Sequence, residues 1–163
     1  MLTQIKLKNQ LHYNPNTGIF TRLIRTTNSV NINDIAGSFD KLDGYVRIMV
    51  IGKSFKAHRL AWLYIYGEFP KNQVDHINGI RNDNRLCNLR EATNAQNQQN
   101  QRNPHSNNKL GYLGVRFHKV TGKYMSEISI NGKYKYLGIF ISPQEAHDAY
   151  LLAKKEFHKF CTI

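Results

Sequence analysis

Asp75 and His76 stand side by side in Val74-Asp75-His76-Ile77-Asn78-Gly79, with Asn88-Leu89-Arg90 and then Asn97 downstream. A carboxylate oxygen binds a hard divalent cation, an imidazole takes a proton from water near neutral pH, and an amide oxygen on a following helix supplies a second oxygen ligand. These are the parts of a metal-dependent phosphodiesterase. Taken singly, each residue has a plainer reading: Asp75 as a turn cap, His76 as a hydrogen-bonded core histidine, Asn97 as one more amide in an amide-rich run. Only the joint pattern points to chemistry.

Such side chains act only where the chain fixes them. Residues 73–102 read as strand, long polar loop, strand and helix, with Thr93 as helix N-cap and helix persisting to about Arg102 so that Asn97 is held. Upstream, Asn-Pro and Thr-Gly within 12–20 are turn chemistry leading into a strand at about 18–24. Tyr45 to Ile51, Gly52-Lys53, then Ser54 to Ala57 is a hairpin signature. The apolar run from His58 stops at Gly67 and Pro70, which predicts a short buried helix with Gly67 near its C-terminal cap. Trp62, Tyr64 and Tyr66 are expected in the core, and His58 in a packing or hydrogen-bonding role rather than in direct catalysis.

Residues 94–110 contain ten Asn or Gln, and the second half of that stretch reads as a linker over 103–110 between two domains, 1–102 and 111–163. Beyond it, 113–118, 124–130 and 134–141 alternate and are joined by Thr121-Gly122 and Asn131-Gly132, which predicts a three-stranded antiparallel meander. Ser142-Pro143-Gln144-Glu145 is a capping box with Pro at the first helical position, and Ala146, Ala149, Tyr150, Ala153, Phe157 and Phe160 recur at helical spacing. Strand parity puts Val115, Phe117, Tyr124, Ile128 and Leu137 toward that helix. Arg116, His118, Glu127, Ser129, Tyr134 and Tyr136 then fall on an outward face.

The 163 residues suit one ordinary domain or two small ones, which excludes a large enzyme fold. Formal charge is +12, with basic excess in both halves: 15 Lys/Arg against 7 Asp/Glu over 1–110, and 8 against 4 over 111–163. A polyanion is the expected partner, double-stranded DNA first. No apolar run approaches membrane-spanning length and no apolar signal core opens the chain, so no membrane partner is expected. Cys87 and Cys161 cannot make a four-ligand zinc site or a disulfide framework, which fits a reducing, cytoplasmic setting.

Asp75-His76-Ile77-Asn78-Gly79, Asn82-Asp83-Asn84-Arg85, Asn88-Leu89-Arg90 and Asn97, with His58-Arg59-Leu60 before them, resemble the HNH endonucleases of phages and mobile introns in the branch without structural zinc. The resemblance covers about 15–102. It implies an α+β fold with a ββα-metal (His-Me finger) nuclease domain, preceded by a β-hairpin and short helix. It also implies His76 as general base, Asn88 as the central Asn bracing the loop, and Asp75 and Asn97 holding one Mg²⁺ or Mn²⁺ per active site. Arg81, Arg85 and Arg90 could then grip phosphates beside the site, with solvated loop charge as the plainer reading.

Tyr112-Leu113-Gly114-Val115-Arg116, Gly122-Lys123-Tyr124, Glu127-Ile128, Tyr136-Leu137-Gly138-Ile139-Phe140, Glu145-Ala146 and Ala149-Tyr150 resemble the Apetala2/ethylene-response-factor DNA-binding domain over 112–158. That resemblance implies a sheet entering the major groove with a helix behind it, and contacts from Arg116, His118, Lys123, Glu127, Tyr134 and Tyr136. Leu113, His118, Ser129 and Tyr134 stand where the plant domains usually carry arginine, so fewer bidentate base contacts are expected. Lys119, Lys123, Lys133 and Lys135 would add salt-sensitive phosphate affinity.

The expectation is therefore a phage or mobile-element homing-type DNA endonuclease in a bacterial host cell, acting as a monomer and, with one site per chain, nicking. Two alternatives stand beside it: a DNA-binding regulator without cleavage, and a packaging or virion component built on the nuclease fold.

Overall fold

The computed structural model describes residues 1–105 and 107–162. The chain divides into two compact units, Met1–Asn94 and Ala95–Ile163.

The first unit opens with a short helix the sequence did not announce, α1 (Gln4–Lys8), capped by Thr3 Oγ1 accepting from the Lys6 amide. Strands β1 (Leu11–Asn14) and β2 (Ile19–Arg22) form an antiparallel hairpin in register from Leu11↔Arg22 to Asn14↔Ile19. The strand expected over 18–24 is thus shorter and gains an upstream partner, because Leu11, Tyr13 and Phe20 all turn inward to the core.

A three-stranded antiparallel sheet follows, in the order β3 (Ser38–Phe39), β4 (Val46–Val50), β5 (Lys53–Lys56). Its hairpin turns on Ile51 and Gly52, at φ 49° and 68°, one residue earlier than expected. Burial of both Ile48 and Val50 fixes which residues pair, and Val50↔Lys53 leaves only 51 and 52 for the turn.

Helix α2 (Ala57–Tyr66) buries Ala57, His58, Leu60, Ala61 and Leu63 and ends where Gly67, at φ 87°, donates its amide to Leu63 O. Ala57, Leu60, Ala61 and Leu63 join Leu7, Leu11, Tyr13, Phe20, Ile48, Val50, Val74 and Leu89 in one core. Trp62 and Tyr64 pack against it. Tyr66 does not: it lies against Trp62 at a centroid distance of 4.4 Å and is 54 % exposed, because it falls on the outer side of the helix.

Strands β6 (Gln73–His76) and β7 (Leu89–Ala92) pair antiparallel, joined by a loop whose last turn is a 3₁₀ helix over Leu86–Asn88. Helix α3 (Asn94–Gln99) comes next and stops short of Arg102. Asn and Gln side chains compete with helical backbone bonds, and the residues after α3 have other partners. Asn100 Oδ1 accepts from Thr162, Arg102 donates to Thr162, and Gln101 O accepts from the buried Lys154 ammonium. Residues 99–102 thereby pack with the C-terminal segment, and the division between units falls ahead of the linker expected at 103–110. Ser106 of that stretch lies outside the described residues.

The second unit holds an antiparallel meander, order β10-β9-β8, made of β8 (Val115–His118), β9 (Lys123–Ile130) and β10 (Lys133–Phe140). Helix α4 (Pro143–Phe157) packs on it, and both halves of the capping box are present: Ser142 Oγ accepts from the Glu145 amide, and Glu145 Oε2 accepts from the Ser142 amide. Val115, Ser126, Ile128, Ala146 and Ala153 are buried between sheet and helix. Phe117 has the expected parity and meets Tyr124 edge to face, yet stays 48 % exposed, because β8 is an edge strand that α4 covers less than the other two. Phe160 lies beyond the end of the helix. A bulge between Tyr136 and Gly138 shifts the β10 register, so that Gly138 faces Ser126.

Candidate active site

Val74, Asp75 and His76 are all buried, so β6 has no solvent face and carries its two polar side chains into the protein. Buried polar groups need partners, and both have them. Asp75 sits opposite Arg90 in the β6–β7 register, and Arg90 Nε and Nη2 both donate to Asp75 Oδ2, at 3.0 and 2.9 Å. The guanidinium fork holds one carboxylate oxygen from the neighbouring strand.

His76 Nε2 lies 3.4 Å from Asn84 Oδ1. Its ring meets His58 nearly perpendicularly at 5.0 Å, with Tyr45 5.0 Å from His58 and 5.9 Å from His76. Burial pushes the His76 imidazole below its ordinary value, opposed by the Asn84 bond and the nearby carboxylates. His58 is pushed down to about 3, first by burial and then by the facing His76. Both rings are therefore neutral at physiological pH.

Between the strands the loop 77–88 is tied to itself. Asn88 Oδ1 accepts from the Asn78 amide at 2.9 Å, and Asn88 Nδ2 donates to Asp83 O at 2.8 Å. Asp83 accepts from Asn78 Nδ2 and from the Arg85 fork at 2.8 and 2.6 Å, and the Arg85 bond leads the causes that pull its carboxyl down to about 2. Arg81 donates to Asp43 O and lies over the Tyr45 ring at 5.3 Å, while Lys56 Nζ lies 3.7 Å from the same ring. Of the three arginines read as phosphate grips or solvated charge, Arg85 and Arg90 have their forks on carboxylates, and Arg81 is held on an aromatic face beside the histidines.

Two residues near His76 had no role in the sequence reading, Asn84 as its bonding partner and Tyr45 as its neighbour, while His58, expected in a packing or hydrogen-bonding role, is the ring facing it. Asn82-Asp83-Asn84-Arg85 was conspicuous, but nothing in its spacing says which amide reaches the imidazole. Asn97 is placed on α3. Asp75 and Asn97 are both oxygen donors, a set that suits a hard divalent ion. Among the described residues no group of three or more His, Cys, Asp or Glu is placed to hold a metal.

In the second unit Arg116, His118, Lys123, Glu127, Tyr134 and Tyr136 share the sheet face opposite α4. Tyr134 is 77 % and Tyr136 59 % exposed. Arg116 Nη2 donates to Glu127 Oε2 at 2.6 Å, His118 bonds Thr121, and Tyr136 sits opposite Glu127. Lys135 does not belong to that face: its ammonium lies 4.0 Å from the Phe157 ring of α4.

β6 thus carries a buried acid–histidine pair, and an Asn-braced loop closes beside it. Residues 55–99, from β5 through α3, match the family model described as HNH endonuclease. A solved structure described as DNA binding and cleavage by the HNH homing endonuclease I-HmuI aligns at 23 % identity, covering 90 % of this chain and 80 % of that one, with a TM-score of 0.44. No curated protein matches the chain. Among the described residues no helix is long and apolar enough to cross a membrane.

Proposed function

We propose that the chain is a metal-dependent DNA endonuclease of the homing type, carried by a phage or mobile element, that nicks double-stranded DNA. The observation that carries the reading is the buried Asp75–His76 pair on β6, with Arg90 on the acid and Asn84 on the imidazole, inside the segment matching HNH endonucleases. The order β6, loop, β7, α3 suits a ββα-metal finger.

In this reading neutral His76 takes a proton from a water whose oxygen forms a bond to phosphorus as the bond from phosphorus to the 3′ oxygen breaks. The products are a 5′-phosphate and a 3′-hydroxyl, the latter gaining its proton from solvent. One Mg²⁺ or Mn²⁺ held by Asp75 and Asn97 would, when bound, offset the phosphate charge and stabilise the leaving oxygen. Asn88 keeps the loop closed behind the pair, and Arg90 fixes the carboxylate's orientation. Lys56 and Arg81, whose charges lie over the Tyr45 ring, would bind the flanking phosphates.

The outward face of β8–β10 is read as an Apetala2-like DNA grip. Tyr134 and Tyr136 offer flat apolar contact to sugar or thymine methyl, and Arg116 must exchange Glu127 for a phosphate or base to take part. Incubation with supercoiled plasmid tests the reading: relaxed circles are expected with Mg²⁺ and none with EDTA. Equal relaxation in both, or in neither, would refute metal-dependent cleavage.

A further inference from the structure

Asn84 is 3 % exposed and is held from three directions. Its backbone carbonyl accepts from the buried Tyr13 hydroxyl at 2.7 Å, across seventy-one positions of sequence. Its backbone also runs directly over the turn of the first hairpin, where Leu86 N donates to Pro15 O at 2.9 Å and a Cβ on Gly18 would fall 2.4 Å from Asn84 C and 2.5 Å from Arg85 N. Its side-chain Nδ2 donates to Asn82 O at 3.2 Å.

That last bond sets the direction of the amide. A backbone carbonyl only accepts, so the NH₂ group must face Asn82 and Oδ1 must face the imidazole. An amide oxygen also only accepts, so the nitrogen facing it, His76 Nε2, carries the hydrogen. Nδ1 is then the ring nitrogen with the lone pair.

We infer that Asn84 is a positioning residue for the proposed base: its side-chain oxygen fixes His76 as the Nε2–H tautomer, leaving Nδ1 to take the proton, and Tyr13 and the 14–18 turn hold Asn84 at that distance. The inference rests on the reading of His76 as general base for its catalytic meaning, but the tautomer is a property of the protein without DNA or metal. The first hairpin, outside the segment matching HNH endonucleases, thereby becomes part of the site.

Two variants separate this role from simple support of the loop. Asn84→Leu removes both the oxygen facing His76 and the donor facing Asn82. Asn84→Asp keeps an oxygen facing His76 but exchanges the donor for a second carboxylate oxygen and a negative charge. Long-range ¹H–¹⁵N NMR of the imidazole, at pH 8 on the full chain, should show His76 protonated at Nε2 in the wild type and in Asn84→Asp, and shifted toward a tautomer mixture in Asn84→Leu. In plasmid cleavage, kcat should fall about tenfold or more in Asn84→Leu with KM unchanged, and most of the loss should be recovered in Asn84→Asp.

Should Asn84→Leu not fold, Tyr13→Phe keeps the ring and removes only the hydroxyl, and its kcat should drop severalfold at constant KM. A wild-type His76 protonated at Nδ1, an Asn84→Leu protein with the wild-type tautomer, or unaltered kcat in both Asn84→Leu and Tyr13→Phe would each overturn the inference. If His76→Ala cleaves normally, the base reading fails instead, while the NMR result still decides the Asn84 bond.

Discussion

Asp75 is 6 % exposed, and a carboxylate so buried needs a hydrogen-bonding partner at hand. Arg90 supplies two donors to one oxygen, and its side chain is 23 % exposed, so the pair lies at the edge of the interior rather than deep within it. Arg90→Met should therefore cost about 2–3 kcal/mol in urea unfolding, below the full penalty for stranding a buried charge. Arg85→Met, which breaks a pair whose arginine side chain is 48 % exposed, should cost clearly less than Arg90→Met. Equal costs would mean that Arg90 does not hold Asp75 in solution. The acid and the histidine were legible from residue type and spacing. Arg90's partner was not, since the cross-strand register that sets Asp75 opposite Arg90 depends on where the loop between them closes.

At the scale of elements, local chemistry was a good guide where one residue decides a boundary. Gly67 ends α2 and the Ser142–Glu145 box starts α4 as their residue types require. It was a poorer guide where burial decides. The β4–β5 turn places Ile51, a β-branched residue, in the left-handed region at φ 49°, a conformation that costs such a residue roughly 1–2 kcal/mol. Core burial of Ile48 and Val50 imposes that choice. Ile51 is itself 52 % exposed, so Ile51→Asn gives up little burial and creates the Asn-Gly pair that such turns favour. It should raise the melting temperature, by an amount corresponding to about 1 kcal/mol. A lower melting temperature would mean that the side chain contributes more by packing than the turn loses by strain. Helix α3 ends early for a similar reason: its amide-rich sequence has weak helix preference, and contacts from residues near the C-terminus take over at Asn100, which no local pattern could reveal.

For the whole molecule, the two facing histidines link acidity to stability. The His58 pKa lies at about 3 in the folded chain against the ordinary 6.5, so below pH 6.5 the unfolded chain binds a proton that the folded chain refuses. Stability is complete above pH 6.5 and should fall as pH drops from there toward 3, by up to about 1.4 kcal/mol per unit from this residue alone. Asp83, held near 2 against its ordinary 3.8, adds its loss only below pH 3.8. Melting curves from pH 8 to 4 should show the first decline, and His58→Leu should flatten it. An unchanged slope in that variant would remove His58 as the cause. The three-stranded meander and its capped helix could be read from turn motifs and alternation, whereas the hold of the first hairpin on Asn84 could not, because Tyr13 and Gly18 are far from it in sequence and meet it only through the fold.

The central claim is that His76 takes the proton in DNA cleavage, and His76→Ala tests it most directly in the whole chain. Incubated with supercoiled plasmid and Mg²⁺ beside the parent protein, the variant should bind DNA as tightly yet leave the plasmid supercoiled. Relaxation at the parental rate would contradict the account.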